Sequence, residues 1–180
     1  MNKTNQARYT SIMGDTILVA YATRYGSTAE VAEVVGDELR KAGAAVDLRP
    51  VDEVDDLTPY GAVILGSPIY MGKWLPEAQV FVERHQQRLR GIPVAYFATG
   101  LTVMDGTPDA IKRAEASMGQ VRMLVNPIAI GIFPGRLESS RLSMTDRAVI
   151  KLIRAETGDF RDLKAVRAWA RTLHSKVLRP

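Results

Sequence analysis

The sequence predicts an α/β protein built on a doubly wound, five-stranded parallel sheet with helices on both faces. Two observations lead to this fold. Apolar runs of strand length alternate along the chain with amphipathic stretches of helical length, which is the pattern of parallel strands joined by crossover helices. The chain has 180 residues, of which 46% are hydrophobic and 24% are charged, and this composition fits a compact domain with a sizeable core.

Five segments are predicted as strands. The first, third and fourth are nearly continuous apolar runs, as expected of central strands that are buried on both faces. The second alternates apolar and polar residues, and this alternation favours a half-exposed position at the edge of the sheet. The predicted strands span residues 16–22, 45–49, 62–66, 93–98 and 127–133.

Three predicted helices connect these strands, because each intervening segment has apolar residues three and four positions apart. Gly43 follows the first of them and is placed to end it. The predicted helices span residues 28–42, 75–89 and 108–119.

The chain after the fifth strand is longer than the minimal fold requires. A helix is predicted over residues 143–155, before a final helix over residues 161–178. We therefore predict a single domain over residues 16–180, in which residues 136–160 form a basic insertion. Residues 1–15 are predicted to be a flexible leader.

Positive charge is concentrated in the last quarter of the chain. Residues 1–135 hold 13 Lys and Arg against 15 Asp and Glu, whereas residues 136–180 hold 11 against 5. The candidate surface for an anionic partner is therefore one segment of the chain. This segment has few aromatic residues and no recognisable nucleic-acid-binding module, so nucleic acid is not an expected partner.

The residue inventory argues against chemistry performed by side chains alone. The chain has no Cys and only two His, which excludes a thiol nucleophile and Cys-ligated metals and leaves a multi-imidazole metal site poorly supplied. Demanding chemistry would then be carried by a bound cofactor. We expect a cytoplasmic location, since no apolar run has membrane-spanning length and the leader lacks the features of a secretory signal.

The turn after the first strand has the composition of a phosphate cradle. Its hydroxyl groups, a glycine that lets the backbone curl and the free N–H groups of a helix N-terminus together favour a phosphate dianion. The arginine of this turn adds positive charge. The alternative is that the serine or the second threonine only caps the helix. The candidate residues are Thr23, Arg24, Tyr25, Gly26, Ser27 and Thr28.

The turns after the third and fourth strands predict a site for a flat ring. Tyr70 and Trp74 are placed to stack on such a ring, while small residues let the backbone approach its edge. The alternative is that these aromatic side chains pack beneath the loop. The candidate residues of the two turns are Ser67, Pro68, Ile69, Tyr70, Gly72, Trp74, Thr99, Gly100 and Leu101.

Together, the three turns resemble those of the flavodoxin family over about residues 16–134. That family's usual first loop is Ser/Thr-x-Thr-Gly-x-Thr, which this chain matches at Thr23, Gly26, Ser27 and Thr28, while Tyr25 replaces the middle hydroxyl residue. The resemblance implies the strand order 2-1-3-4-5 and FMN as the cofactor. It also implies that the first loop binds the FMN phosphate and that the two later loops enclose the isoalloxazine ring.

Within that family, the chain is most similar to the flavodoxin-like, quinone-dependent protoporphyrinogen IX dehydrogenases of haem biosynthesis. This resemblance implies an oxidoreductase whose flavin passes electrons from a reduced, porphyrinogen-like anionic substrate to a quinone. Two alternatives remain: a flavodoxin-type electron carrier that docks on a redox partner protein, and a flavin-free binding module. The resembling segments are Thr23-Arg24-x-Gly26-x-Thr28, Phe81-Val82-x-x-His85, Asp146-Arg147 and Ile150-Lys151-Leu152-Ile153.

The predicted helix of the insertion has a basic face and an apolar face. Arg147, Lys151 and Arg154 fall on the basic face. Such a helix fits peripheral contact with the anionic inner face of the cell membrane, or a site for a substrate that bears propionate groups. The alternative is an ordinary surface helix with solvated charges.

Overall fold

Five parallel strands form the central sheet of the computed structural model, which describes residues 16–152 and 156–177. The sheet has the order β2-β1-β3-β5-β6, and a short strand, β4, pairs antiparallel with the end of β3. The five long strands therefore follow the predicted order 2-1-3-4-5, and the predicted fold is confirmed. The strands are β1 (Thr16–Tyr21), β2 (Ala45–Pro50), β3 (Tyr60–Tyr70), β4 (Lys73–Trp74), β5 (Val94–Gly100) and β6 (Ala129–Pro134).

Each face of the sheet has its own hydrophobic core, because successive strand residues point to opposite sides. On one face, Ile17 and Val19 pack beneath α1 (Ser27–Lys41) and the last helix of the chain. On the other face, Leu18 and Ala20 lie beneath α2 (Pro76–Leu89). Strands covered in this way are buried on both faces, which explains their continuous apolar sequences.

The helix predicted over residues 108–119 is observed with its end two residues earlier, and a second helix that was not predicted follows it. The structure has two helices, α3 (Pro108–Ser117) and α4 (Gly119–Leu124), separated at Met118. Met118 is fully buried in the core beneath α2. The apolar spacing of this segment predicted the helical conformation but not the break.

The insertion begins and ends in a two-stranded antiparallel ribbon. Its strands are β7 (Arg136–Leu137) and β8 (Gly158–Asp159), and α5 (Met144–Leu152) lies between them. The chain then ends in α6 (Leu163–Val177), close to the predicted bounds of the final helix. Arg154 and the predicted leader, residues 1–15, lie outside the described residues. Within the described ranges, no helix is long and apolar enough to cross a membrane.

Candidate functional site

A cavity of about 540 Å³ lies at the carboxyl edge of the sheet, beyond the ends of β1, β3 and β5. Its volume falls within the roughly 300–1,000 Å³ typical of small-molecule sites. In a doubly wound sheet, this edge is where ligands bind. The predicted site residues that line the cavity are Thr23, Arg24, Tyr25, Ser27, Thr28, Pro68, Ile69, Tyr70, Gly72, Thr99, Gly100 and Leu101.

The first loop presents an uncapped helix N-terminus to this cavity. Gly26 precedes α1 with a φ of +87°, a left-handed conformation that favours glycine, and no described side chain caps the helix. The predicted capping alternative for Ser27 and Thr28 is therefore wrong. Ser27 Oγ accepts a hydrogen bond from the backbone N–H of Arg136 at 2.9 Å. The first-turn N–H groups of α1 are thus available to an anion.

The donors of this loop fit a phosphate group. Thr23 Oγ1 accepts from the backbone N–H of Gly26 at 3.0 Å, and because Ser27 Oγ also acts as an acceptor, both hydroxyls keep a proton to donate. A Cβ atom on Gly26 would lie 3.1 Å from Nη1 of Arg141, which places a guanidinium group of the insertion beside the loop. Hydroxyl protons, backbone N–H groups and a nearby cation are the donor set that a phosphate requires.

The second loop differs from the prediction because β3 extends to Tyr70. Only Met71 and Gly72 form the turn, both with positive φ, before β4 returns antiparallel. Trp74 does not stack in the cavity: it is 2% exposed, and its ring packs edge-on against Tyr96 with centroids 5.2 Å apart. Of the two predicted alternatives for Trp74, packing beneath the loop is the one observed.

Ser67 also lies away from the cavity lining. Its side chain is fully buried, and its Oγ accepts from the backbone N–H of Leu75 at 3.0 Å and donates to the carbonyl oxygen of Pro68 at 3.1 Å. Ser67 therefore stabilises the turn through hydrogen bonds to its backbone. Gly26 contributes its backbone conformation to the first loop and is likewise outside the lining.

Sequence reasoning named Asp146 only within a resembling segment and did not assign it to the site, yet it lines the cavity from α5 and is 7% exposed. Its carboxylate accepts hydrogen bonds from the hydroxyls of Tyr70, at 2.8 Å, and Tyr25. It also pairs with Arg24, whose Nη2 lies 3.0 Å away. The positive charge expected to face a phosphate from Arg24 is thus held by a carboxylate. The available signal was that Asp146 is the only acidic residue within residues 143–155.

The insertion turns its apolar face toward the cavity and its basic face toward solvent. Leu142, Val149 and Ile150 line the cavity. Arg147 and Lys151 are exposed and do not line it. The two candidate basic residues that the structure describes therefore lie at the outer surface of α5.

An ion-pair network joins the insertion to the first turn of α1. Glu30 pairs with both Arg136 and Arg161, and Arg161 also pairs with Asp159 at 2.5 Å. Burial alone would raise the pKa of Glu30, but the hydrogen bonds and charges of the two arginines outweigh it, so the pKa is lowered. The hydrogen bond from Arg161 lowers the pKa of Asp159 to about 2. This network fixes β7 and β8 beside the first loop.

The sheet order and the uncapped loop at its carboxyl edge are those of a flavodoxin-like protein. The sequence profile of the Flavodoxin domain matches residues 18–164, and the chain belongs to this family. Family and fold together imply a flavin-binding oxidoreductase.

Two curated relatives are similar in sequence. The chain is 29% identical over 154 residues to the protoporphyrinogen IX dehydrogenase (quinone) of Escherichia coli strain K12, covering 82% of this chain and 83% of the relative. It is 27% identical over 89 residues to an NAD(P)H dehydrogenase (quinone) of Caulobacter vibrioides, covering 37% and 45%. The first similarity extends over most of both chains.

Solved flavodoxin structures share the fold at low sequence identity. A flavodoxin from the domain Archaea superimposes with a TM-score of 0.57 at 17% identity, covering 91% of this chain and 99% of its own. A Streptococcus pneumoniae TIGR4 flavodoxin gives a TM-score of 0.56 at 19% identity, with coverage of 90% and 99%. These similarities support the architecture.

Proposed function

We propose that the protein is an FMN-dependent oxidoreductase that takes electrons from a reduced, porphyrinogen-like substrate and passes them to a quinone. The observation that carries this proposal is the cavity at the carboxyl edge, where a phosphate-compatible loop and an apolar insertion face one another. The name of the Escherichia coli relative, protoporphyrinogen IX dehydrogenase (quinone), supports the same reaction class.

The three loops would bind different parts of FMN. The first-turn N–H groups of α1 and the hydroxyls of Thr23 and Ser27 would bind the phosphate. Tyr70 and the backbone at Gly100 would lie against the ring, since both line the cavity between the second and third loops. When bound, FMN would supply two-electron chemistry, which the chain, having no Cys, could not obtain from a thiol.

The apolar lining fits a substrate with a poorly hydrated ring system. Leu142, Val149 and Ile150 cover the side of the cavity that faces α5 and exclude water from a reacting ring. Arg147 and Lys151 lie on the outer side of the same helix, where they would attract propionate groups or anionic lipid.

Exposed apolar side chains near the mouth favour a membrane surface as the place where a lipid quinone is met. Met71 is 87% exposed at the tip of the second loop, and Leu152 is 83% exposed at the end of α5. Exposed apolar side chains of this kind, together with the basic face of α5, suit peripheral contact. We therefore propose a cytoplasmic protein that contacts the inner face of the membrane.

An electron carrier of the flavodoxin type is the second candidate. Asp52 and Glu53 are exposed just after the end of β2, at the same edge of the sheet as the cavity, and Asp55 and Asp56 are exposed on the return toward the start of β3. Such an acidic surface would steer a basic redox partner toward the flavin. A flavin-free binding module is the third candidate, because Tyr25 replaces a hydroxyl residue of the usual first loop.

The deciding experiment is a visible absorption spectrum of the purified protein, with the mass of any released cofactor. We expect a yellow protein that binds FMN more tightly than riboflavin, because riboflavin lacks the phosphate. Ser27→Ala is expected to weaken FMN binding without changing riboflavin binding. A colourless protein that takes up neither flavin would contradict the proposal and favour the flavin-free module.

Turnover separates the two redox candidates. Reduction of the protein by protoporphyrinogen, followed by reoxidation with menaquinone, is the expected outcome for the enzyme. Reoxidation by a partner protein alone would identify the carrier instead.

A further inference from the structure

Helix α5 lacks the apolar anchor that normally holds an amphipathic helix to a protein. Such a helix is usually stabilised by packing its apolar face into a core. Asp146 is the only buried residue of α5, while Met144 and Leu152 are 86% and 83% exposed. A buried carboxylate is costly unless its charge is paired and its oxygens are hydrogen-bonded. The position of α5 therefore depends on the partners of Asp146.

Those partners come from two different loops of the cavity. Oδ1 of Asp146 accepts from the hydroxyl of Tyr70 at 2.8 Å, and Tyr70 ends β3. Oδ2 accepts from the hydroxyl of Tyr25 and from Arg24, whose Nη2 lies 3.0 Å away and whose Nε lies 3.2 Å away. Both oxygens are thus engaged, and one carboxylate joins the insertion to the first and second loops.

Arg24, Tyr25, Tyr70 and Asp146 form a cluster, in which the partners of Asp146 also contact one another. The guanidinium carbon of Arg24 lies 4.3 Å from the centroid of the Tyr70 ring, a cation–π distance. Charge-assisted hydrogen bonds are roughly twice as strong as neutral ones. The cluster therefore provides a strong link for a helix that has no buried apolar residue of its own.

We propose that Asp146 is a clasp that holds α5 over the cavity and thereby sets how long a bound ligand is retained. Asp146 is a positioning residue: it acts through Arg24, Tyr25 and Tyr70, which line the cavity with it. The retention part rests on the proposed function, since it concerns FMN. The link between α5 and the two loops stands on the contacts alone.

A purely local role of Asp146 in the first turn of α5 must be distinguished from the clasp. Ser143 Oγ already accepts from the backbone N–H of Asp146 at 3.1 Å, and an acidic residue near a helix N-terminus is favourable in itself. Substitution of Asp146 would affect both roles. Tyr25→Phe and Tyr70→Phe remove only the hydroxyl donors and leave the sequence of α5 intact, so they test the clasp separately.

The first test is hydrogen–deuterium exchange of the FMN-free protein, followed in peptides from residues 144–152. We expect these amides to exchange about tenfold faster in Asp146→Asn and in the double variant Tyr25→Phe/Tyr70→Phe. Exchange in β1 and β5 should not change. Asp109→Asn, which alters an exposed aspartate in the first turn of α3, is the matched control. Wild-type exchange of α5 in the double tyrosine variant would overturn the proposal.

The second test measures release of FMN from the loaded protein, by the recovery of FMN fluorescence after dilution. We expect release to be about tenfold faster in the same variants and unchanged in Asp109→Asn. Faster exchange of α5 with unchanged FMN release would overturn the retention part. If no variant and no wild-type protein binds FMN, the proposed function fails, and the exchange measurement still decides the clasp.

Discussion

The hydroxyls of Thr28 and Thr99 lie 2.8 Å apart and join two loops that are 71 residues apart in the sequence. Thr28 is in the first turn of α1, and Thr99 is near the end of β5. Their side chains are 1% and 2% exposed, so this is a buried polar contact. It fixes the phosphate-compatible loop relative to the third loop of the cavity.

The threonine pair predicts non-additive effects on stability. Thr28→Val and Thr99→Val should each lower the free energy of unfolding by about 1–3 kcal/mol, because each leaves one hydroxyl without a partner. The double variant should lose less than the sum, since it removes both hydroxyls. Urea denaturation of the flavin-free protein measures all four free energies. Strict additivity would show that the two hydroxyls do not interact.

The close packing around Gly66 predicts that a larger residue at this position lowers the stability of the fold. A Cβ atom at this position would lie 1.9 Å from Cζ of Phe97, whose side chain is fully buried. Gly66→Ala should therefore lower the free energy of unfolding by about 1–3 kcal/mol or more, as overpacking does. Gly119→Ala is the control, because nothing lies within 4 Å of the added atom. Equal thermal stability of the two variants would contradict the close packing.

Asp159 predicts a pH-dependent contribution to stability. Its pKa is lowered to about 2 from its ordinary value of 3.8, chiefly by the hydrogen bond from Arg161. A lowered carboxyl pKa stabilises the fold fully above about pH 4, and this contribution is lost as the pH falls toward 2. Asp159→Asn should therefore be less stable than wild type at pH 7, with the difference shrinking over that window.

The size of the Asp159 effect is limited by solvent. The side chain is 49% exposed, so screening keeps the expected difference below about 1 kcal/mol. Urea midpoints between pH 7 and pH 2.5 measure it. A difference that stays constant across this range would assign the loss to something other than the charge of Asp159.

The basic face of α5 predicts binding to anionic vesicles. Each Lys or Arg near such a surface contributes about 1 kcal/mol, so Arg147→Glu/Lys151→Glu should weaken binding by roughly thirtyfold or more at low salt. Cosedimentation with vesicles of phosphatidylglycerol and phosphatidylcholine measures the change. Lys112→Glu/Arg113→Glu, an equal charge reversal on exposed residues of α3, is the control. Equal binding of wild type and the α5 variant would remove membrane contact from the proposed function.

The sheet could be predicted because apolar runs report burial directly. β1 and β5 are covered on both faces, and their sequences are nearly continuous apolar runs, whereas β2 alternates because it is an edge strand. The extent of β3 could not be predicted in the same way. Pro68 pairs with Thr99 of β5, which is distant in the sequence, and Ile69 and Tyr70 pair with β4 across a two-residue turn that the composition of the loop did not reveal.

The candidate site was predicted where backbone and hydroxyl groups form it, and missed where distant side chains meet. The first loop could be identified because all of its donors are consecutive, from Thr23 to Thr28. Trp74 and Asp146 depend on packing: an aromatic residue after a turn can face a ligand or the core, and a single carboxylate on a basic helix looks like a surface charge. Trp74 packs against Tyr96, and Asp146 accepts a hydrogen bond from Tyr70. In both pairs, the two residues are far apart in the sequence.

The β7–β8 ribbon has a consequence for how this chain could have acquired its insertion. Leu137 pairs with Gly158, so the segment between them departs and returns at points only about 5 Å apart. Replacing residues 138–157 with a tight hairpin turn would leave no gap to bridge, and the rest of the sheet would not need to move. The ribbon is thus a position where a minimal ancestor could have gained a segment that covers its cavity. At the same position, a designer could replace that segment with another.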